Sequence, residues 1–147
     1  MVAAMTADDN RLAAMQICLP EVAAGAGVEG SIFARYGGFV AIRRIVSAFY
    51  ARMLQSPALA PHFAGVDMRR LIDHQTKFVT QVMGGPASFP DRQIERAHAG
   101  LGVTAGEFAE MIGLLRATLE EAALAPVDVE QVLDEVRRRE PLIVRRE

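Results

Sequence analysis

The sequence contains a single cysteine, Cys18, among its 147 residues. One thiol cannot form an intramolecular disulfide, and its isolation also excludes zinc or iron–sulfur sites that need several cysteine ligands. Because neither a helix start nor a basic cluster surrounds Cys18, we interpret it as a small apolar side chain rather than a nucleophile.

Long apolar runs and a surplus of one charge are also lacking. No stretch approaches the roughly 18 consecutive apolar residues that a membrane span needs. The 16 basic and 18 acidic side chains give a net charge of −2, so a strongly basic field is absent and nucleic-acid binding is disfavoured. The first residues lack the basic start of a secretion signal and include Asp8 and Asp9, so we expect a cytoplasmic, reducing location.

What the sequence does have is helical periodicity. Its composition, 51% hydrophobic and 23% charged, is that of one globular domain. Residues 1–30, rich in Ala and Gly, are predicted to form an N-terminal extension that is partly helical or mobile. Residues 31–147 are predicted to form an all-α domain with four substantial helices and short connectors.

Glycine, proline and capping signals delimit the predicted helices. The clearest start is a capping box in which Thr104 and Glu107 satisfy backbone N–H groups of each other. Helices are predicted over 38–54, over 68–83, over a short segment 91–99, after Thr104, and from about Pro126 until the chain meets Pro141.

Polar side chains interrupt the apolar faces of two of these helices. Gln75 lies at the centre of the apolar stripe of its helix, between Leu71 and Val79, whereas His74 lies at the edge. Burying an amide costs a few kcal/mol unless it finds a partner, and the hydroxyl of Tyr50 has the same need. Either Tyr50 and Gln75 bond one another or a carbonyl, or a ligand faces them.

His98 is the third inward-facing polar side chain. It follows Ile94 by four residues on a very short helix that presents little beyond the imidazole. It is either a hydrogen-bonded core histidine or a metal ligand. His62, His74 and His98 lack the spacing of a zinc site, and no phosphate-binding loop or nucleophile motif occurs.

Several short stretches occur together in an order that is specific to one protein family. They are Tyr36-Gly37-Gly38, Phe49-Tyr50-Ala-Arg-Met-Leu, Leu59-Ala-Pro-His-Phe63-Ala-Gly, His74-Gln75, Met83-Gly84-Gly85-Pro86 and Ala97-His98-Ala-Gly-Leu-Gly-Val103. From about residue 31 to 137 the chain resembles the group I truncated haemoglobins, which are small globins with a two-over-two helical sandwich around haem.

The resemblance implies a role for each matching residue. His98 would be the proximal iron ligand through Nε2, Phe63 would stack on the macrocycle, and Tyr50 and Gln75 would donate hydrogen bonds to a diatomic ligand. His74 would be a possible sixth ligand in the absence of gas, or else an edge histidine near a haem carboxylate. The rest of the pocket would be lined by Phe49, Leu71, Phe78, Val79, Ile94, Val103, Phe108 and Met111.

The resemblance also implies a cofactor and a function. The cofactor would be haem b, bound noncovalently because the last helix lacks the histidine that attaches haem in some relatives. The partners of the haem carboxylates would be among Arg70, Arg92, Arg96 and the other basic residues, which the sequence does not distinguish. The chain would bind O2, NO and CO, and with an unidentified reductase it would serve oxygen transport or the oxidation of NO to nitrate. The alternatives are a hexacoordinate gas or redox sensor or electron-transfer globin, and a helical interaction module without cofactor.

Overall fold

The computed structural model describes residues 30–88 and 90–144, and these ranges are helical without a strand. The elements are α1 (Ile32–Arg35), α2 (Gly38–Gln55), a 3₁₀ turn (Ala60–Phe63), α3 (Met68–Val82), α4 (Asp91–His98), α5 (Ala105–Glu121), α6 (Pro126–Arg137) and α7 (Glu140–Ile143). The predicted all-α class is confirmed. The predicted extension, except for residue 30, and Cys18 lie outside the described residues.

Helices α2, α3 and α4 begin and end within about a residue of their predicted bounds, and α5 begins directly after Thr104, as predicted. The capping box is present, because the Glu107 N–H donates to Thr104 Oγ1 (3.1 Å) and the Thr104 N–H donates to Glu107 Oε1 (2.9 Å). The helix predicted from about Pro126 is α6, which ends at Arg137, and Pro141 lies in the first turn of α7 instead of stopping a helix. A proline fits there because first-turn N–H groups have no partner within the helix.

The four long helices form two packed pairs. Helix α2 packs against α3, α5 packs against α6, and the pairs meet where α2 contacts α5 and α3 contacts α6. The interior holds fully buried aliphatic side chains from both pairs, among them Ile42, Val46, Leu119 and Leu133. Within the described residues, no helix combines the length and apolarity needed to cross a bilayer.

Two glycine pairs allow the sharp connections at the ends of α1 and α3. Gly37 and Gly38 have φ angles of 103° and 73°, and Gly84 has φ 79°, all in the left-handed region that favours glycine. A Cβ on Gly85 would lie 2.6 Å from the side chains of Phe33 and Thr80. The second pair therefore lets the turn after α3 pack directly against α1.

An ion pair joins α1 to the start of α6. The guanidinium of Arg35 donates to both carboxylate oxygens of Asp128 at 2.8 Å, and the Tyr36 hydroxyl donates to the same carboxylate at 2.7 Å. The hydrogen bonds from Arg35, and then that from Tyr36, lower the pKa of Asp128 to about 2. Asp128 is thus a buried carboxylate with its charge compensated.

Candidate functional site

Two adjoining cavities lie among α2, α3, α4 and α5. They contain roughly 800 and 650 Å³ of empty space, counting the parts open to solvent. The residues that line both cavities are Tyr50, Gln75, Ala97, His98, Met111 and Ile143. The three polar side chains singled out in the sequence are therefore brought to one place.

Every side chain predicted for the pocket lines at least one of these cavities, except His74. Those in the first cavity are Phe63, Leu71, Val103 and Phe108. Those in the second are Phe49, Phe78, Val79 and Ile94. The lining is thus largely apolar and aromatic, which suits a flat apolar cofactor.

The backbone of α4 fixes the orientation of the His98 ring. His98 is the last residue of the helix, and its Nδ1 lies 2.7 Å from the carbonyl oxygen of Ile94, one turn earlier. Since a carbonyl only accepts, Nδ1 is the protonated nitrogen, and in the neutral ring Nε2 carries the lone pair that a metal needs. Histidines that bind a metal through one ring nitrogen typically donate a hydrogen bond from the other nitrogen, as His98 Nδ1 does here.

Tyr50 and Gln75 present polar groups to this apolar surface. The Tyr50 ring is held edge-on between Phe49 and Phe63, with centroids 5.2 and 5.6 Å away. Burial raises the pKa of the Tyr50 phenol well above its ordinary value, so the group stays a neutral donor. Within the described part of the chain, neither the Tyr50 hydroxyl nor the Gln75 amide forms a hydrogen bond, so they do not satisfy one another.

The expected placement of His74 and Gln75 on α3 was wrong in one respect. His74 is only 5% exposed, whereas Gln75, expected at the centre of the buried stripe, is half-buried. The centre of the apolar stripe, which includes Gln75, faces the cavities and is therefore only partly covered by protein. The buried side of α3 extends beyond the stripe and includes His74. His74 does not line either cavity.

The buried His74 ring is neutral and incompletely bonded. Its Nδ1 has no hydrogen-bond partner among the described residues. Burial lowers the pKa of His74, and the positive charges of Lys77 and Arg70 lower it further.

Sequence reasoning missed several lining residues. His62 and Glu107 line the first cavity, where His62 Nε2 lies 3.2 Å from Glu107 Oε2, and Ile143 lines both cavities. Glu107 had been recognised only as a capping residue, and Ile143 lies beyond the point where a helix was expected to end. The other additions are apolar: Val46, Met53, Leu59, Val66, Ala97, Leu101, Leu115 and Val136.

The residues present fit an iron porphyrin. His98 offers one imidazole nitrogen, Phe63 and the aliphatic lining offer an apolar surface, and Tyr50 and Gln75 offer donors with no protein partner in the described ranges. One axial imidazole in an apolar pocket with a few distal donors is the arrangement that haem proteins of the globin type use.

Comparisons with known proteins agree with a globin-type haem site. The family described as bacterial-like globin matches residues 31–143. The group 1 truncated hemoglobin of Mycolicibacterium paratuberculosis is 32% identical over 103 residues, covering 70% of this chain and 76% of that protein. The truncated hemoglobin from Tetrahymena pyriformis in its Fe(III) form has a TM-score of 0.72 at 24% identity, covering 79% of this chain and 99% of that one.

A second solved structure is also similar. The 2/2 hemoglobin from Synechococcus sp., in a cyanomet state with covalently attached heme, has a TM-score of 0.69 at 26% identity. The match covers 78% of this chain and 98% of that one.

The two-over-two helical fold and its imidazole-bearing apolar cavity define a small globin. The chain belongs to the bacterial-like globin family, and within that family it is a group 1 truncated haemoglobin. Its fold class and its cofactor, haem, are as predicted from the sequence, and like globins in general it binds diatomic gases at haem.

Proposed function

We propose that this globin binds O2 reversibly and, when supplied with electrons, oxidises NO to nitrate. The observation that carries the proposal is that Tyr50 and Gln75 line the same cavities as His98 and form no hydrogen bond to the described residues. Two neutral donors in an apolar pocket suit a ligand with partial negative charge, such as dioxygen bound to ferrous haem.

Each residue of the pocket has a part in this proposal. His98 holds the metal through Nε2, and the hydrogen bond from its Nδ1 to the Ile94 carbonyl keeps the ring in the required tautomer. Phe63 packs on the macrocycle and, together with Phe49, fixes the Tyr50 ring. The other pocket residues predicted from the sequence exclude water: Leu71, Phe78, Val79, Ile94, Val103, Phe108 and Met111.

The chemistry of NO oxidation sets a requirement for a partner. The haem iron supplies the O2-binding site and the one electron that, together with NO and O2, gives nitrate. An unidentified reductase must then return the ferric protein to the ferrous form. We also propose that haem b is held noncovalently, that residues 31–147 form the globin domain after an extension of residues 1–30, and that the protein is cytoplasmic.

Stopped-flow mixing tests the enzymatic part. The oxygenated ferrous protein is mixed with NO under single-turnover conditions, and absorption and nitrate are measured. We expect rapid conversion to the ferric form with nitrate stoichiometric to haem. Slow oxidation, or oxidation without nitrate, would leave O2 binding as the function.

A hexacoordinate sensor or electron-transfer globin is the second candidate, and the buried His74 favours it. A neutral imidazole with an unsatisfied Nδ1 is chemically able to bind iron. The ring lies outside the cavity lining, so α3 would have to shift first. The ligand-free protein would then show a low-spin bis-histidyl spectrum that His74→Ala abolishes, whereas a high-spin spectrum in the unaltered protein rejects this candidate.

A further inference from the structure

A histidine–carboxylate pair lies at the wall of the first cavity. His62 belongs to the 3₁₀ turn, Glu107 belongs to the first turn of α5, and His62 Nε2 is 3.2 Å from Glu107 Oε2. Both side chains are mostly buried, with 19% and 21% of their surfaces exposed. They line the same cavity as Tyr50, Gln75 and His98.

The Glu107 carboxylate is held in place from two sides. Its Oε1 accepts the Thr104 N–H at 2.9 Å, while Oε2 faces the imidazole. The backbone hydrogen bond from Thr104, followed by the contact with His62, lowers the pKa of Glu107. The group is therefore an ionised carboxylate, and it orients the His62 ring.

Within the described ranges, the elements packed around this pair add no second ion pair to His62. On α5, Glu110 lies one turn beyond Glu107, and its carboxylate accepts a hydrogen bond from the Ser56 hydroxyl. On α2, Arg52 is bonded to the far end of α5. Among the described residues, Glu107 is the acid within ion-pair distance of His62.

The other polar groups of the cavity are poor proton acceptors. Tyr50 is a phenol kept neutral by burial, and the Gln75 amide does not titrate. His98 has one nitrogen bonded to the Ile94 carbonyl, and the other is the metal ligand in the proposed function. The remaining base in the lining is the His62 imidazole, whose ring has a second nitrogen besides the one that faces Glu107.

We propose that His62, positioned by Glu107, is the proton acceptor of the cavity, and that the globin takes up small weak acids HX, such as hydrogen sulfide or hydrogen cyanide, as neutral molecules. On binding, the H–X bond breaks, its electron pair stays with X⁻, and an N–H bond forms on the His62 imidazole. The inference rests on the proposed function, because the haem iron provides the binding site for X⁻.

The charges of His62 and Glu107 favour entry of the neutral acid first and transfer of its proton afterwards. With His62 neutral, the ionised Glu107 disfavours entry of an anion into a water-poor cavity and does not oppose the neutral acid. Once the proton has moved, the imidazolium cancels the carboxylate charge beside the bound anion. Proton and anion are therefore retained together.

A count of released protons tests the proposal. The ferric holoprotein is mixed with cyanide, which is almost entirely undissociated at neutral pH, in weak buffer with a pH indicator. The unaltered protein should release close to no protons per cyanide bound, whereas His62→Gln should release about one, because its acceptor is gone.

Two variants on α5 serve as matched comparisons. Glu107→Gln keeps a side chain that can complete the capping box and removes the charge, so proton release should rise above that of the unaltered protein. Glu110→Gln removes an acid one turn away, and its proton count should equal that of the unaltered protein. Haem content and far-ultraviolet circular dichroism are measured for each variant.

Equal proton release from the unaltered protein and His62→Gln would overturn the proposal. If His62→Gln does not retain haem, equal release from the unaltered protein and Glu107→Gln overturns it in the same way. Failure of the proposed function is distinguishable, because the unaltered protein would then lack a haem absorption band or a cyanide-induced shift before any proton is counted.

Discussion

The two tyrosines of the chain show how one residue type takes on different tasks in different surroundings. The Tyr36 hydroxyl donates to Asp128 at 2.7 Å and accepts the Ala125 N–H at 2.9 Å, so its bonding capacity is used within the fold. The Tyr50 hydroxyl has no such partner in the described ranges and faces the cavities. Tyr36 is therefore a structural residue, and we assign Tyr50 to the ligand.

Tyr50→Phe should raise the O2 dissociation rate about tenfold, because one hydrogen bond contributes roughly 1–1.5 kcal/mol. Stopped-flow replacement of O2 by CO measures this rate. Tyr36→Phe is the control: it should leave the rate unchanged and lower the free energy of unfolding by about 1 kcal/mol. If the two variants release O2 at the same rate, Tyr50 is not a ligand donor.

At the scale of elements, the turn after α3 is packed directly onto α1. The Phe33 N–H donates to the Met83 carbonyl at 2.9 Å. Thr80 is fully buried beneath this turn, and its hydroxyl donates to the Thr76 carbonyl at 2.6 Å. No side chain fits at Gly85 because Phe33 and Thr80 already occupy the space.

Gly85→Ala should therefore lower the free energy of unfolding by about 1–3 kcal/mol through overpacking. Gly113→Ala is the matched comparison, since a Cβ there meets nothing within 4 Å on the exposed side of α5. It should raise the stability by about 0.5–1 kcal/mol, because alanine is the better helix former. Urea denaturation followed by circular dichroism measures both; a Gly85→Ala protein as stable as the unaltered one would contradict this packing.

The sequence predicts those elements whose determinants are local. The bounds of α2 and α3 follow from apolar periodicity over four or five turns, and the start of α5 follows from Thr104 and Glu107. Helices of four residues, such as α1 and α7, are too short to show a helical period, so their positions depend on packing that the sequence does not display.

The same distinction applies to the candidate site. Tyr50, Gln75 and His98 were identifiable because each breaks an apolar pattern on its own helix. The pairing of His62 with Glu107 joins residues 45 positions apart, and only the fold brings them together. Likewise, the burial of His74 depends on how α2 and α3 pack, which the periodicity of α3 alone does not determine.

For the whole molecule, the contact of Arg35 and Asp128 ties two ends of the described domain across 93 residues. The buried carboxylate has a pKa of about 2, below its ordinary value of 3.8, because the ionised form is hydrogen-bonded in the folded protein. Its contribution to stability is therefore complete above the ordinary pKa and is lost as the pH falls through about 2.

Asp128→Asn should lower the free energy of unfolding by about 2 kcal/mol at neutral pH, through loss of charge-assisted hydrogen bonds. The difference from the unaltered protein should shrink as the pH falls below 4, which thermal unfolding at a series of pH values measures. Asp134→Asn, which removes an exposed partner of Arg137, should change little. An Asp128→Asn effect that does not decrease with falling pH would contradict the assignment.

The central claim for the whole molecule is that His98 holds the haem iron, and the chain has only three histidines with which to test it. The direct measurement is the iron–imidazole stretching band in the resonance Raman spectrum of the ferrous protein, compared among single variants of these residues. The account predicts that His98→Gly loses the band and that added imidazole restores one, whereas His62→Gln and His74→Leu retain it. An unchanged band in His98→Gly would contradict the account.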